Sequence, residues 1–261
     1  MAGLATLRAG AGLATVAIPK SVLSTVAMVA PEIMTEPLAE TGEGTISMKA
    51  LENQRLEKLL EFKTAVGVGP GISVNPETVH FVRTAVPKIR VPVVIDADGL
   101  NAFAGSIELL DGSKRPLILT PHSGEMARLM GITREDVEKA RIDAARKLAA
   151  ARKLIVVLKG HPTIVALPDG TCFANPTGNP GMATAGAGDI LTGLILGMIA
   201  QFPDKIVEAV CAGVYLHGLA GDVARDALGE QAMIATDLVR YLPEAIHRAK
   251  AWAEQKVLRL Y

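Results

Sequence analysis

Short apolar runs rich in β-branched residues alternate along this chain with longer stretches whose apolar positions recur at helical spacing. The runs predict strands over Leu13–Ile18, Thr64–Val68, Val93–Asp96, Leu117–Leu119, Ile155–Lys159 and Thr163–Leu167. The helical spacing predicts helices over Ile46–Glu61, Asn75–Val86, Gly124–Met130, Arg134–Ala151, Ile190–Gln201, Asp204–Ala227 and Ala235–Leu258, with Pro243 a point of interruption in the last. Strand–helix alternation with continuous apolar strands implies an α/β fold with a mostly parallel central sheet covered on both faces, a three-layer α/β/α arrangement. Ile155–Lys159 and Thr163–Leu167 are too close for a crossover helix and should form a hairpin turning at Gly160–Pro162.

No linker, low-complexity tract or internal repeat interrupts the pattern, so residues 1–261 read as one domain. The longest apolar run, Ile190–Ala200, is shorter than the ~18–20 residues of a membrane span and reads as a buried helix. Within it Gly193 and Gly197 should form a flat stripe for close packing. The N-terminus is small and apolar, but Arg8 interrupts it and no charged segment precedes it, so no secretory signal is expected. Basic and acidic residues balance at 27 each and aromatics are 3%, which argues against nucleic-acid or anionic-membrane partners. Cys172 and Cys211 lie far apart, offer no metal pattern, and read as two buried reduced thiols of a cytoplasmic protein.

The chemistry gathers after the strands, where open α/β sheets bind their ligands. Gly67–Ile72, GVGPGI, is either a close backbone approach to a ligand, with Gly69 at its centre, or a tight turn. Val93–Asn101, VVIDADGLN, carries Asp96 and Asp98 where carboxylates often face a Mg²⁺–phosphate site, and Asn101 can orient a substrate amide or hydroxyl; Asx-turns or helix caps are the plainer alternative. Leu119–Glu125, LTPHSGE, exposes His122 at the binding edge, with Ser123 as the expected cap of the next helix and Glu125 a first-turn acid. Val157–Thr163, VLKGHPT, puts Lys159 at a strand end, where it can neutralise phosphate or simply sit in a solvated turn.

Asn175–Asp189, NPTGNPGMATAGAGD, is the strongest signal. Gly178, Gly181, Gly186 and Gly188 allow backbone N–H groups to converge, and a helix start behind them favours an anion. It is not a P-loop, since GxxxxGK[ST] is absent. Asp189 at its mouth suits a general base for a hydroxyl that attacks a phosphoryl group; its alternative role is an N-cap.

GAGD entering an apolar helix, with GVGPGI, VIDADGLN, LTPHSGEMARL and LKGHPTIV before it in that order, resembles the ribokinase-like superfamily and, more narrowly, the ADP/ATP-dependent NAD(P)H-hydrate dehydratases. The resemblance covers nearly the whole chain. It implies phosphorylation of the ring hydroxyl of the S epimer of hydrated NADH or NADPH (NADHX, NADPHX) at the expense of ADP or ATP, followed by loss of phosphate to restore NAD(P)H. It implies substrate contacts at Gly69, His122 and Asp189. It implies nucleotide contacts at Lys159, Gly160, His161, Pro162 and Thr163, and at Asn179, Pro180, Gly181, Met182, Ala183, Thr184, Ala185, Gly186, Ala187 and Gly188. Mg²⁺ and a homotetramer are expected on the same ground. The family's first strand and Gly-Gly-Ser-type loop precede the helix that matches Ala2–Gly10, so this chain is expected to lack them, and no epimerase domain is expected. A ribokinase-like kinase of a small alcohol or vitamin precursor, and a non-catalytic nucleotide-binding homologue, are the alternatives.

Overall fold

The computed structural model describes the backbone of residues 1–258 and side chains through residue 251. In chain order the elements are α1 (Ala2–Arg8), β1 (Thr15–Pro19), α2 (Leu23–Ala27), β2 (Met34–Leu38), α3 (Arg55–Leu60), β3 (Val66–Val68), α4 (Pro76–Ala85), β4 (Val93–Ile95), α5 (Asp98–Asn101) and β5 (Leu117–Leu119). There follow α6 (Ser123–Met130), α7 (Arg134–Lys139), α8 (Arg141–Arg152), β6 (Ile155–Leu158), β7 (Ile164–Ala166), β8 (Cys172–Ala174), α9 (Ala187–Gln201), α10 (Ile206–Leu228) and α11 (Ala235–Leu258). The chain divides into two compact units, one made of Gly12–Ala174 and the other of Met1–Ala11 with the chain from Asn175 onward.

The Gly12–Ala174 unit is built on a six-stranded sheet of order β3-β4-β5-β6-β7-β8. Its first four strands are parallel and β7 pairs antiparallel with both β6 and β8, so the sheet is mostly parallel, as the apolar runs require. Strands β4, β5, β6 and β7 are buried along their whole length, the pattern of strands covered on both faces. Val82 of α4, Met126 and Leu129 of α6 and Leu148 of α8 join them in one core. Local signals set the helix starts. Asn75 caps α4 by accepting from the Glu77 N–H at 2.9 Å, with Pro76 at the first position, and Thr133 forms a capping box with Asp136 for α7.

Four expectations change here. The early strand runs Thr15–Pro19 and pairs in parallel with β2 in a separate two-stranded sheet. The helix expected over Ile46–Glu61 is instead a 3-10 segment, Met48–Gln54, followed by α3. Asn53 and Gln54 take left-handed φ of 54° and 56° and break it. The helix expected over Arg134–Ala151 divides into α7 and α8 at Ala140, whose φ and ψ are −138° and 48°. Pro243 lies inside an α11 that continues past it.

In the other unit α9, α10 and α11 pack around a shared core that includes Ile190, Leu194, Leu216, Val223, Leu238 and Leu242. The Gly193/Gly197 stripe does what its spacing predicted. A Cβ on Gly193 would stand 2.2 Å from the Ala2 carbonyl oxygen, and one on Gly197 would stand 2.5 Å from Ala9 Cβ, so α1 lies directly against α9. Among the described residues, by length and composition α10, not the run at 190–200, is the helix able to cross a bilayer, with a mean hydropathy of 1.3; half of that window is buried in the fold, as in a core helix. Cys172 and Cys211 are unpaired and half-buried, not fully buried as expected, and burial raises the Cys211 thiol pKa above its usual value.

Candidate active site

The carboxyl ends of β3 to β6 carry one cluster of polar residues. Where β3 ends, Gly69 has φ +133°, and a Cβ there would stand 1.7 Å from the Asp96 carbonyl oxygen. Gly99 faces it across the same gap, its own Cβ position 2.5 Å from the Val68 carbonyl oxygen. Glycine at 69 is therefore demanded by backbone packing between the β3 and β4 ends, before any ligand is considered.

After β4 the chain reverses at Ala97, a non-glycine residue with φ 49° and ψ −120°. That reversal sends the two acids to different partners. Asp96 is 1% exposed and its Oδ1 lies 2.7 Å from Lys159 Nζ, at the end of β6. Asp98 Oδ2 accepts the Ser73 N–H at 3.0 Å and so ties down the turn that follows β3. Asn101 is oriented by two neighbours: Arg128 Nε donates to its Oδ1 at 3.0 Å, and its Nδ2 reaches Asp98 Oδ1 at 3.4 Å.

His122, not Ser123, caps α6. Its Nδ1 accepts from the N–H groups of Gly124 at 2.9 Å and Glu125 at 3.3 Å, while Glu125 Oε2 accepts the His122 N–H at 2.8 Å. A ring nitrogen that accepts carries no proton, so neutral His122 has its proton on Nε2. Burial, then the cations Lys159, Arg128 and Arg134, hold its pKa below the usual 6.5 against the opposing pull of Glu125. Ser123 is occupied differently, its Oγ accepting from Arg141 Nη1 at 3.2 Å.

Glu125 does more than a first-turn acid. Its side chain is 7% exposed and its Oε2 lies 3.6 Å from Lys159 Nζ. Asp96, Glu125 and Lys159 thus form an ion triad across the ends of β4, α6 and β6. The Lys159 charge, at the start of the 159–163 turn, is already met by two carboxylates. That turn is the expected hairpin, with a cis His161–Pro162 bond and Thr163 Oγ1 bonded to the Gly160 carbonyl at 3.0 Å. Arg141 anchors it by donating through Nη2 to the carbonyls of Lys159 at 3.2 Å and Pro162 at 3.1 Å. His161 stays exposed.

The second group of predicted residues lies in the other unit. Here α9 starts at Ala187, three residues before the predicted boundary. Gly186, with φ 90°, is its N-cap, so Asp189 is not the cap but the third residue of the first turn. Asp189 is half-exposed. Most loop amides are consumed in shaping the loop: Gly178 N–H bonds Asp222, Gly181 N–H bonds Asn179 Oδ1, and those of Met182, Ala183, Thr184 and Ala187 bond loop carbonyls. Among the described residues the N–H groups of Ala185, Gly186 and Gly188 have no hydrogen-bond partner. Three amides at a helix N-terminus, with a carboxylate in the same turn, can hold an anion beside a base.

Sequence reasoning missed Arg141, Asp222 and the buried role of Glu125. Only Asp222 had a usable signal, two glycines within six residues of a long apolar helix at HGLAGD (residues 217–222), which mark a close backbone approach. Among the described residues no three His, Cys, Asp or Glu side chains group as a metal site. Asp96 is bound to Lys159 and Asp98 accepts the Ser73 N–H, so both carboxylates expected as Mg²⁺ ligands already have protein partners.

The family model described as NAD(P)H-hydrate dehydratase matches residues 1–244. The bifunctional NAD(P)H-hydrate repair enzyme Nnr of Moorella thermoacetica is 46% identical over 254 residues, 97% of this chain but 47% of that protein; the chain spans about half the length of such curated relatives. The solved structure of the ADP/ATP-dependent NAD(P)H-hydrate dehydratase from Bacillus subtilis, co-crystallized with ATP/Mg²⁺, is 32% identical with a TM-score of 0.78, covering 95% of this chain and 83% of that one. Ribokinase from Giardia lamblia, at 13% identity, 93% and 87% coverage and a TM-score of 0.55, shares the fold alone. On a ribokinase-like fold, the chain belongs to the NAD(P)H-hydrate dehydratase family.

Proposed function

We propose that this chain restores NADH and NADPH from the S epimers of their hydrates, NADHX and NADPHX, using ADP or ATP. What carries this is the first turn of α9, where half-exposed Asp189 follows directly on the unpartnered amides of Ala185, Gly186 and Gly188. Asp189 takes the proton of the ring hydroxyl. The hydroxyl oxygen then bonds to the terminal phosphorus of the nucleotide as the bond to the departing AMP or ADP breaks. The loop amides meet the charge on the transferred group. The ring carbon–oxygen bond then breaks, phosphate leaves with its electron pair, and loss of a ring proton restores the dihydropyridine. The whole is a carbon–oxygen lyase reaction of metabolite repair.

His122 offers its Nε2–H, and Asn101 its amide, to the substrate near Gly69, while residues 159–163 and 179–188 contact the nucleotide. Mg²⁺, when bound to the nucleotide phosphates, supplies neutralising charge there. The working assembly is a homotetramer in the cytoplasm, as the family resemblance implies, and sedimentation of the purified chain measures it.

The test is to incubate the protein with S-NADHX and ADP or ATP and follow the return of NADH absorbance. Asp189→Asn should lower turnover about 10²-fold or more, the scale of general-base effects. An undiminished rate in that variant removes Asp189 from the chemistry. If NADHX is untouched while a simple alcohol is phosphorylated, the chain is a small-alcohol kinase. Nucleotide binding with no turnover of either makes it a binding homologue.

A further inference from the structure

The segment HGLAGD of α10, residues 217–222, has no role in the chemistry above, yet it touches both ends of the glycine-rich loop. Residues 217, 218, 221 and 222 share one helical face. Where the loop enters, a Cβ on Gly218 would stand 2.3 Å from Thr177 Oγ1, and one on Gly221 would stand 2.2 Å from Met182 Sδ. The two glycines therefore let the loop rest directly on the helix. Thr177 Oγ1 donates to the Tyr215 carbonyl at 2.9 Å. Asp222 receives two donors, the Gly178 N–H on Oδ2 at 2.9 Å and Asn179 Nδ2 on Oδ1 at 3.0 Å. Where the loop leaves, His217 Nε2 lies 2.9 Å from the carbonyl oxygen of Ala187, the first residue of α9.

We propose that this face of α10 is a positioning device for the nucleotide, with Asp222 its principal residue. The inference rests on reading the loop as the nucleotide site. Asp222 acts through the loop and touches neither nucleotide nor substrate. By holding Asn179, it fixes the side chain whose Oδ1 takes the Gly181 N–H at 3.1 Å. The turns that follow at Met182, Ala183 and Thr184 are closed by the loop's own carbonyls, which leaves the amides of Ala185, Gly186 and Gly188 for a phosphate. A carboxylate suits the task because it accepts two donors at once. Arg225 Nη1, 3.5 Å from Asp222 Oδ1, offsets a negative charge that would otherwise oppose an incoming anion.

Asp222→Asn keeps the shape but sets an amide NH₂ against one of two N–H donors. An unsatisfied donor of this kind should weaken nucleotide binding about 10- to 100-fold. The experiment measures binding of a fluorescent ATP analogue by the full chain, the KM for nucleotide and for S-NADHX separately, and the thermal midpoint. The expected result is weaker analogue binding and a raised nucleotide KM, with the NADHX KM and the midpoint little changed. Gly218→Ala, which pushes the loop entry away without altering Asp222, should show the same selective loss. Analogue binding as tight as wild type in Asp222→Asn overturns the proposal. So does failure of both variants to fold, which assigns the face to stability. A wild-type chain that binds no analogue overturns instead the reading of the loop itself.

Discussion

Replacing Lys159 with methionine tests the ion triad at the strand ends. Methionine keeps the length of the apolar stem and removes the charge. What remains is Asp96, 1% exposed, and Glu125, 7% exposed, with no cation between them. Breaking a buried pair by removing one partner costs about 3–5 kcal/mol, against roughly 0–1 kcal/mol for a solvated pair. Lys159 keeps 18% of its side chain in contact with solvent, so the lower end applies, about 3 kcal/mol. For a chain of this size that is a fall in Tm of about 6–12 °C. Removing one of the two carboxylates as well should relieve the imbalance, so Lys159→Met with Asp96→Asn recovers about 1–3 kcal/mol of the single-variant loss. Urea unfolding of the two variants and wild type measures each quantity. A single-variant loss below about 1 kcal/mol would show that the triad is solvated and that Lys159 remains free to serve a phosphate.

Two further outcomes are expected. His122, held neutral by burial and neighbouring cations, should titrate below 6.5 by NMR. Its depressed pKa contributes stability above the unfolded value of about 6.5 that is lost as pH falls through it toward the folded value, so His122→Asn, which keeps a capping oxygen, should lose stability less steeply on acidification; a midpoint at or above 6.5 refutes this. Gly193→Ala gains about 1 kcal/mol of helix propensity but meets the Ala2 carbonyl oxygen at 2.2 Å, and overpacking of about 1–3 kcal/mol should leave a net loss in thermal unfolding; a raised midpoint would mean that α1 does not lie against α9 as described.

The sequence pattern made the parallel sheet legible because β4, β5 and β6 are uninterrupted apolar runs. The hairpin at Gly160–Pro162 was legible from spacing, and close packing on α9 from Gly193 and Gly197, though not that α1 would be the partner. β2 escaped because Glu36 and Pro37 argue against a strand, and Pro37 is nonetheless paired with Ile18 across a two-stranded edge. β8 escaped because three residues carry no period. In the candidate site the residue types were readable but their partners were not. Asp96 and Asp98 look equivalent in VVIDADGLN, and only the backbone reversal at Ala97 sends one inward to Lys159 and the other to Ser73. Arg141 reads as an ordinary helix residue until its guanidinium is seen on the hairpin carbonyls.

That reversal also bears on how the protein can change. Backbone at φ 49° and ψ −120° is glycine territory, and a Cβ held there costs about 1–3 kcal/mol. Ala97→Gly should therefore relieve strain in the folded chain, contrary to the usual effect of introducing glycine. The same methyl group narrows the range over which the β4–α5 joint can swing. An alanine at this joint trades ease of folding for constancy of direction, so a laboratory lineage selected for thermal endurance alone would be expected to drift to glycine here, and one also selected for turnover to keep the methyl.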